Sequence, residues 1–260
     1  MLTSRLRLIT FDVTNTLLKF RSNPGQQYGE IGATYGIICD NNNLSANFKA
    51  HWRKMSKEHP NFGLLTGLGW EKWWTMVVKG TFKDSNFNLE EQKLDAVALH
   101  LIEAYKTSAC WQQCYGAIGL LSYIRSKGIR MGIVSNFDPR LNITLENMKL
   151  RHYFQSVITS YEVGVEKPDP RIFEEAMYHS KIKNLKPDEC LHVGDEIFFD
   201  YNGAKSSGWH AALIDNNRNI HDIKKKYPYV DSNYIFANLY DLHKHFIESF
   251  DDKITSHSLF

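Results

Sequence analysis

Residues 7–17 read Arg7-Leu8-Ile9-Thr10-Phe11-Asp12-Val13-Thr14-Asn15-Thr16-Leu17. The run from Arg7 to Phe11 is of β-forming type and delivers a carboxylate, Asp12, at its end. Short runs of the same kind recur beyond residue 115. Ile129 to Val134 leads into Ser135, and Val157-Ile158 lies inside Ser156 to Ser160. Leu191-His192-Val193 leads into Gly194-Asp195, and Ala211 to Ile214 follows. Segments of helical period separate them, at Ala117 to Ser126, Arg140 to Leu150, Arg171 to Ser180 and Tyr201 to Ser207. Strands separated by helices of this length imply βαβ crossovers and a parallel sheet, an α/β fold of Rossmann-like type.

Helix openings carry their own chemistry. Asp138-Pro139, Asp169-Pro170 and Lys186-Pro187-Asp188 each place a cap or a first-turn proline where a helix should begin. Gly208 falls where a helix should stop.

Residues 18–115 have a different character. Helical spacing runs through Ala46 to Lys57, Trp70 to Lys79 and Gln92 to Lys106, and no strand alternation is evident. The expected organisation is a core of residues 1–17 and 116–260 with a helical insertion at 18–115. The two joints fall near 17–22 and 110–116. Trp70, Trp73 and Trp74 share one helix face, and core packing is the expected use of that face rather than stacking on a substrate.

Composition excludes several classes of function. Lys+Arg 31 against Asp+Glu 29 gives a formal charge of +2, with no bulk basicity for nucleic acid or a membrane surface. Lys224-Lys225-Lys226 reads as a solvated helix face. No stretch approaches the roughly 18 apolar residues of a membrane span. Only Met1 to Leu6 precede the first strand, too little for a signal peptide. Cys39, Cys110, Cys114 and Cys190 form neither a disulfide framework nor a zinc pattern. Cytoplasmic placement is the expectation. Oligomeric state is not legible.

In an open parallel sheet, ligands bind beyond the carboxyl ends of the strands, where strand order reverses. Asp12, Ser135 and Asp195 each close an expected strand, and Lys167 of Lys167-Pro168-Asp169-Pro170 follows another by a loop. These residues, with Asn136 and Asp200, should therefore face one crevice.

In their order and distances, the islands around Asp12, Ser135-Asn136, Lys167 and Gly194-Asp195 resemble the four signature motifs of the haloacid dehalogenase-like (HAD) hydrolases. Gln27-Tyr28-Gly29-Glu30-Ile31-Gly32 and Asn136-Phe137-Asp138-Pro139-Arg140-Leu141 are similar to an insect group of that family and its vertebrate relatives. The resemblance implies a Rossmann-like core whose helical cap, residues 18–115, closes over a small phosphorylated substrate. It implies Asp12 as a nucleophile forming phosphoaspartate. Mg²⁺ would be held by Asp12, the backbone carbonyl of Thr14 and Asp195. Ser135 and Asn136 would bind the phosphoryl oxygens, and Lys167 would neutralise charge that develops in transfer. Asp200 would orient Lys167 or hold a metal-bound water.

One position departs from the family pattern. Family phosphatases carry an acid/base aspartate two residues after the nucleophile, and Thr14 stands there. A hydroxyl has no accessible charge change near neutral pH, so alkyl phosphates should be turned over slowly. Aryl phosphates, acyl phosphates and anhydrides should suffer least. A binding protein with vestigial catalysis is the alternative. The dehalogenases that named the family do without metal and fit the Gly194-Asp195 pair poorly.

Overall fold

The computed structural model describes residues 5–85, 88–215 and 220–256. The first strand, β1 (Leu8–Phe11), lies at the centre. The chain then forms β2 (Leu18–Phe20), α1 (Pro24–Thr34), α2 (Asn41–Glu58), α3 (Trp70–Lys83), α4 (Glu91–Ala104) and β3 (Trp111–Gln113). The remainder alternates. It runs through α5 (Ala117–Ser126), β4 (Arg130–Ser135), α6 (Leu141–Asn147), β5 (Ser156–Thr159), α7 (Ser160–Val163) and α8 (Pro170–Ser180). It ends with β6 (Cys190–Gly194), α9 (Gly203–Ser206), β7 (His210–Ile214), α10 (Ile220–Lys226), β8 (Ile235–Phe236) and α11 (Leu239–Ser256).

Six strands form one parallel sheet in the order β5-β4-β1-β6-β7-β8. From β1 the chain builds outward through β4 and β5, then returns to place β6 on the other side of β1. Strand order therefore reverses at β1, and a crevice opens beyond its carboxyl end.

Alternation along the strands supplies both faces of the sheet. Ile9, Phe11, Ile133 and Val193 point into one buried cluster with Leu120 and Leu121 of α5 and Leu242 and Phe246 of α11. Leu8, Val134 and Leu213 point into the other, against Ile172, Phe173 and Ala176 of α8 and Ala204 of α9. Helices covering both faces explain why parallel strands read as short apolar runs. The expected opening of α8 is present: Pro170 occupies its first turn and Asp169 accepts a hydrogen bond from Arg171 N. Gly208 ends α9 in the left-handed region, at φ +76°.

Helices α1 to α4 form a unit with its own core, in which Tyr28, Leu44, Val78, Phe82, Leu94, Val97 and Leu101 pack together. Asp40 caps α2 by accepting from Asn43 N.

The expectation of no strand between residues 18 and 115 needs correction. β2 and β3 pair antiparallel, Leu18 opposite Gln113 and Phe20 opposite Trp111, so the chain's exit from the core is tied to its return. Strands of three residues are too short to leave a period-two signature in sequence. Lys186-Pro187-Asp188 opens only a 3₁₀ turn, Pro187–Glu189, because β6 begins at the next residue. Lys224, Lys225 and Lys226 are exposed on α10.

Candidate active site

Asp12 directly follows β1 and is 8% exposed. The turn after it is pinned from inside. Val13 and Leu17 are fully buried, and Leu17 N and Leu18 N both donate to Val13 O. Asn15 takes a left-handed conformation, φ +58°, to make this turn. Thr14 is half-buried and faces the same cavity as Asp12.

Two donors converge on one oxygen of Asp12. Ser135, the last residue of β4, donates from Oγ to Asp12 Oδ1 at 2.9 Å. Lys167 Nζ donates to the same oxygen at 2.7 Å, to Asp200 Oδ1 at 2.6 Å and to Val134 O at 2.8 Å. Among the described residues, Asp12 Oδ2 receives no hydrogen bond. Lys167 is 2% exposed, so both its ion pairs are shielded from water. Its backbone is held at two points: Lys167 N donates to Asn136 Oδ1 at 2.7 Å, and Asn136 Nδ2 donates to Lys167 O at 3.0 Å. Asn136 was expected on a phosphoryl group; in the structure its side chain is spent on holding Lys167.

A second layer steadies Asp200, which sits in a π-helical turn over Ile197–Asn202. Asp200 Oδ2 accepts from Glu196 N at 2.9 Å, and Oδ1 lies 3.1 Å from His192 Nε2. His192 Nδ1 in turn lies 2.8 Å from Thr10 Oγ1, because the β1–β6 register sets Thr10 beside His192. Burial lowers the pKa of His192, while Lys167 and His192 hold Asp200 below the ordinary carboxylate range against the effect of its own burial. An ionised carboxylate only accepts, so the neutral imidazole donates from Nε2 to Asp200, and Nδ1 accepts a hydrogen bond from the Thr10 hydroxyl. Sequence reading missed this chain. The signal was present, since His192 and Thr10 are polar residues inside otherwise apolar strands.

Gly194 has a steric reason to be glycine. A Cβ there would lie 2.2 Å from Asp200 Cγ. Gly194→Ala is expected to displace Asp200 and lower stability by about 1–3 kcal/mol, as overpacking does. Urea unfolding measures this, and an unchanged midpoint would show that Asp200 can move aside freely.

Asp195 completes an acidic cluster. Asp12, Asp195 and Asp200 each place one carboxylate oxygen within 4.8 Å of the others. Burial, then the charges of Asp12, Asp200 and Glu196, push Asp195 up to about 8, opposed by a hydrogen bond from Asn15. Burial raises Asp12 as well, against the pull of Lys167. Three carboxylates crowd one ammonium here in a half-desolvated space, and without a further cation they resist ionising together, which is what raises Asp195 and Asp12. A divalent cation with oxygen ligands fits that donor set and that charge.

The carboxylates form the floor of a cavity of about 650 Å³ whose far walls come from α2, α3 and α4. Trp73 is buried among Met55 and Val77, as expected for that helix face. Its neighbour departs from the expectation. Trp74 lines the cavity and donates from Nε1 to Asp138 Oδ2 at 2.8 Å. Asp138 also accepts from Arg140 Nε at 2.9 Å and Nη2 at 2.7 Å, and the guanidinium lies 5.0 Å and 5.2 Å from the Trp74 and Trp70 rings. Asp138, expected only as a helix cap, therefore clasps the helical unit to the core. Asn61 makes a second clasp, exchanging hydrogen bonds with Ser160 Oγ and Ser160 O.

The model of the haloacid dehalogenase-like hydrolases matches residues 6–208. The chain is 50% identical over 247 residues to the rhythmically expressed gene 2 protein of Drosophila melanogaster, covering 93% of this chain and 95% of that one. It is 35% identical over 210 residues to human haloacid dehalogenase-like hydrolase domain-containing protein 3, covering 81% and 82%. The chain belongs to the HAD-like hydrolases. Among solved structures, YfnB of Bacillus subtilis, a HAD-family protein crystallised with magnesium, superposes with a TM-score of 0.67 at 16% identity. The match covers 93% of this chain and 99% of that one. The L-2-haloacid dehalogenase of Xanthobacter autotrophicus gives 0.62 at 18% identity, covering 92% and 97%. Fold is therefore shared with a magnesium-bound member of the family and with a dehalogenase, and fold alone does not distinguish them.

Proposed function

We propose that this chain is a Mg²⁺-dependent phosphohydrolase of small phosphorylated compounds, working through a phosphoaspartate on Asp12. One observation carries the reading. A carboxylate with one oxygen held by Ser135 and Lys167, and its other oxygen free of hydrogen bonds among the described residues, lies in a cluster of three carboxylates around one ammonium. That oxygen donor set, which a bound cation would let ionise together, favours the metal-dependent chemistry over dehalogenation.

Asp12, the Thr14 carbonyl and Asp195 would hold the ion. Bound there, Mg²⁺ offsets the charge that otherwise keeps an anionic ester away from an anionic nucleophile. The chain's own groups do the rest. Asp12 Oδ2 attacks phosphorus. Ser135 Oγ and Lys167 Nζ sit where they can turn from Oδ1 toward the phosphoryl oxygens as charge builds on them. Asp200, fixed by His192 and Glu196 N, sets the position of Lys167. The helical unit, taken as a cap spanning 18–115, excludes water when its clasps are closed.

Thr14 shapes this activity. Without a carboxylic acid beside the leaving group, esters whose alkoxide needs a proton react slowly. The same residue is what favours the alternative, a HAD-fold binding protein with vestigial catalysis. Hydrolysis of p-nitrophenyl phosphate and acetyl phosphate, with Mg²⁺ and with chelator, separates the two. The expected result is turnover that requires Mg²⁺ and is lost in Asp12→Asn. Absence of any Asp12-dependent turnover would put the binding reading in its place.

A further inference from the structure

We propose that the substrates are aryl monophosphates, phosphate esters of phenols whose flat, uncharged ring system occupies the chamber above Asp12. The proposal rests on the phosphohydrolase reading and adds the identity of the leaving group.

Two independent observations meet in it. The first is the chamber wall. Phe48, Trp52, Trp74, Val78, Leu101 and Trp111 all line it, and its volume of about 650 Å³ lies within the range of sites that enclose a whole small molecule. Ring faces and edges of this kind reward a planar apolar body.

The polar groups of the chamber do not suit the competing classes. Lys167 and Arg140 are the cations among the described lining residues, and both are committed. Lys167 is held between Asp12 and Asp200, and Arg140 is paired in two-point fashion with Asp138. A second phosphate or a carboxylate on the substrate would enter an apolar space without a free cation, beside Glu166 and Glu196, which also line it. A sugar body needs many hydrogen-bond partners. Asn61, a polar wall residue, spends both amide atoms on Ser160, which leaves the buried Tyr105 hydroxyl, without a partner among the described residues, as a hydrogen-bonding group of the wall where a sugar would need several.

The second observation is Thr14. A phenol ionises near pH 10, so its oxygen leaves as phenolate without a proton donor. In the first step, Asp12 Oδ2 forms a bond to phosphorus while the phosphorus–aryl oxygen bond breaks, and the electron pair departs on the aryl oxygen. In the second, a water oxygen bonds to phosphorus, the phosphorus–Asp12 bond breaks, and inorganic phosphate leaves. The water supplies two protons: one is carried by the phosphate and the other reaches the phenolate through solvent. The residue that disables alkyl ester cleavage and the wall that selects rings thus favour the same leaving group.

The test compares kcat/KM for 1-naphthyl phosphate, n-octyl phosphate and acetyl phosphate with Mg²⁺, in the wild type, Trp52→Ala and Asp12→Asn. Trp52 is 43% exposed at the chamber wall, so its removal spares the core. The expected result is at least tenfold preference for naphthyl over octyl phosphate. Trp52→Ala should cut the naphthyl-to-acetyl ratio by about two- to tenfold, the worth of one aromatic contact. Asp12-dependent acetyl phosphate turnover with naphthyl and octyl esters alike would overturn the aryl class and leave the phosphoaspartate standing. A naphthyl preference untouched by Trp52→Ala would overturn the chamber's role. No Asp12-dependent turnover of any of the three would overturn both readings together.

Discussion

Lys167→Met is expected to lower the free energy of unfolding by about 3–5 kcal/mol, the usual cost of removing one partner from a buried ionic group. The lysine is 2% exposed, and its Nζ lies 2.7 Å from Asp12, 2.6 Å from Asp200 and 2.8 Å from Val134 O. Methionine fills a similar volume, so packing changes little, but two buried carboxylates and a carbonyl lose their shared donor. Urea unfolding in chelator, where no cation can take the lysine's place, measures the loss as a lower midpoint at unchanged m-value. An unchanged midpoint would mean that the carboxylates are already satisfied by other means, and the electrostatic account of the site would fail.

Thr14→Asp is expected to raise turnover of alkyl phosphates by up to about 10²–10⁴-fold, the usual worth of general acid–base help. Thr14 faces the cavity two residues after Asp12, on a turn anchored by Val13 and Leu17. A carboxyl group there would meet the leaving oxygen without remaking the fold. Aryl and acyl phosphates should gain much less in the first step, because their leaving groups depart unprotonated. Equal gains on alkyl and aryl substrates would place the slow step at dephosphorylation of Asp12, with the new carboxylate activating water. No gain on any substrate, together with no Mg²⁺-dependent binding of a phosphoryl mimic, would mean that the site is not catalytic, and the binding-protein reading would take its place.

What could be read from sequence divides along physical lines. β1, β4, β6 and β7 were legible because strands buried on both faces form short apolar runs, and the ends of β1, β4 and β6 located Asp12, Ser135 and Asp195 beyond one edge of the sheet. The extent of α5, Ala117–Ser126, was legible to the residue, since its helical period is closed by Lys127-Gly128. The pairing of β2 with β3 was not, because three-residue strands carry no periodicity. Side-chain commitments were the least visible. Asn136 and Asp138 each have a plausible local use, and only the fold reveals that one grips the backbone of Lys167 and the other grips Trp74 and Arg140 across the cavity. The Trp70, Trp73, Trp74 face looked uniform in sequence. Three-dimensional placement divides its uses: Trp73 is buried in the core behind the cavity, while Trp70 and Trp74 flank Arg140 and Trp74 also forms cavity wall.

The central claim is that Asp12 can carry a phosphoryl group with a divalent cation beside it. Beryllofluoride mimics a phosphoryl group on a carboxylate and needs no substrate to be known, so its binding in the presence of Mg²⁺ tests the claim most directly. Calorimetry should show one site per chain in the wild type, lost on removing Mg²⁺ and lost in Asp12→Asn. Binding that survives in Asp12→Asn, or that is absent from the wild type at saturating Mg²⁺, would contradict it.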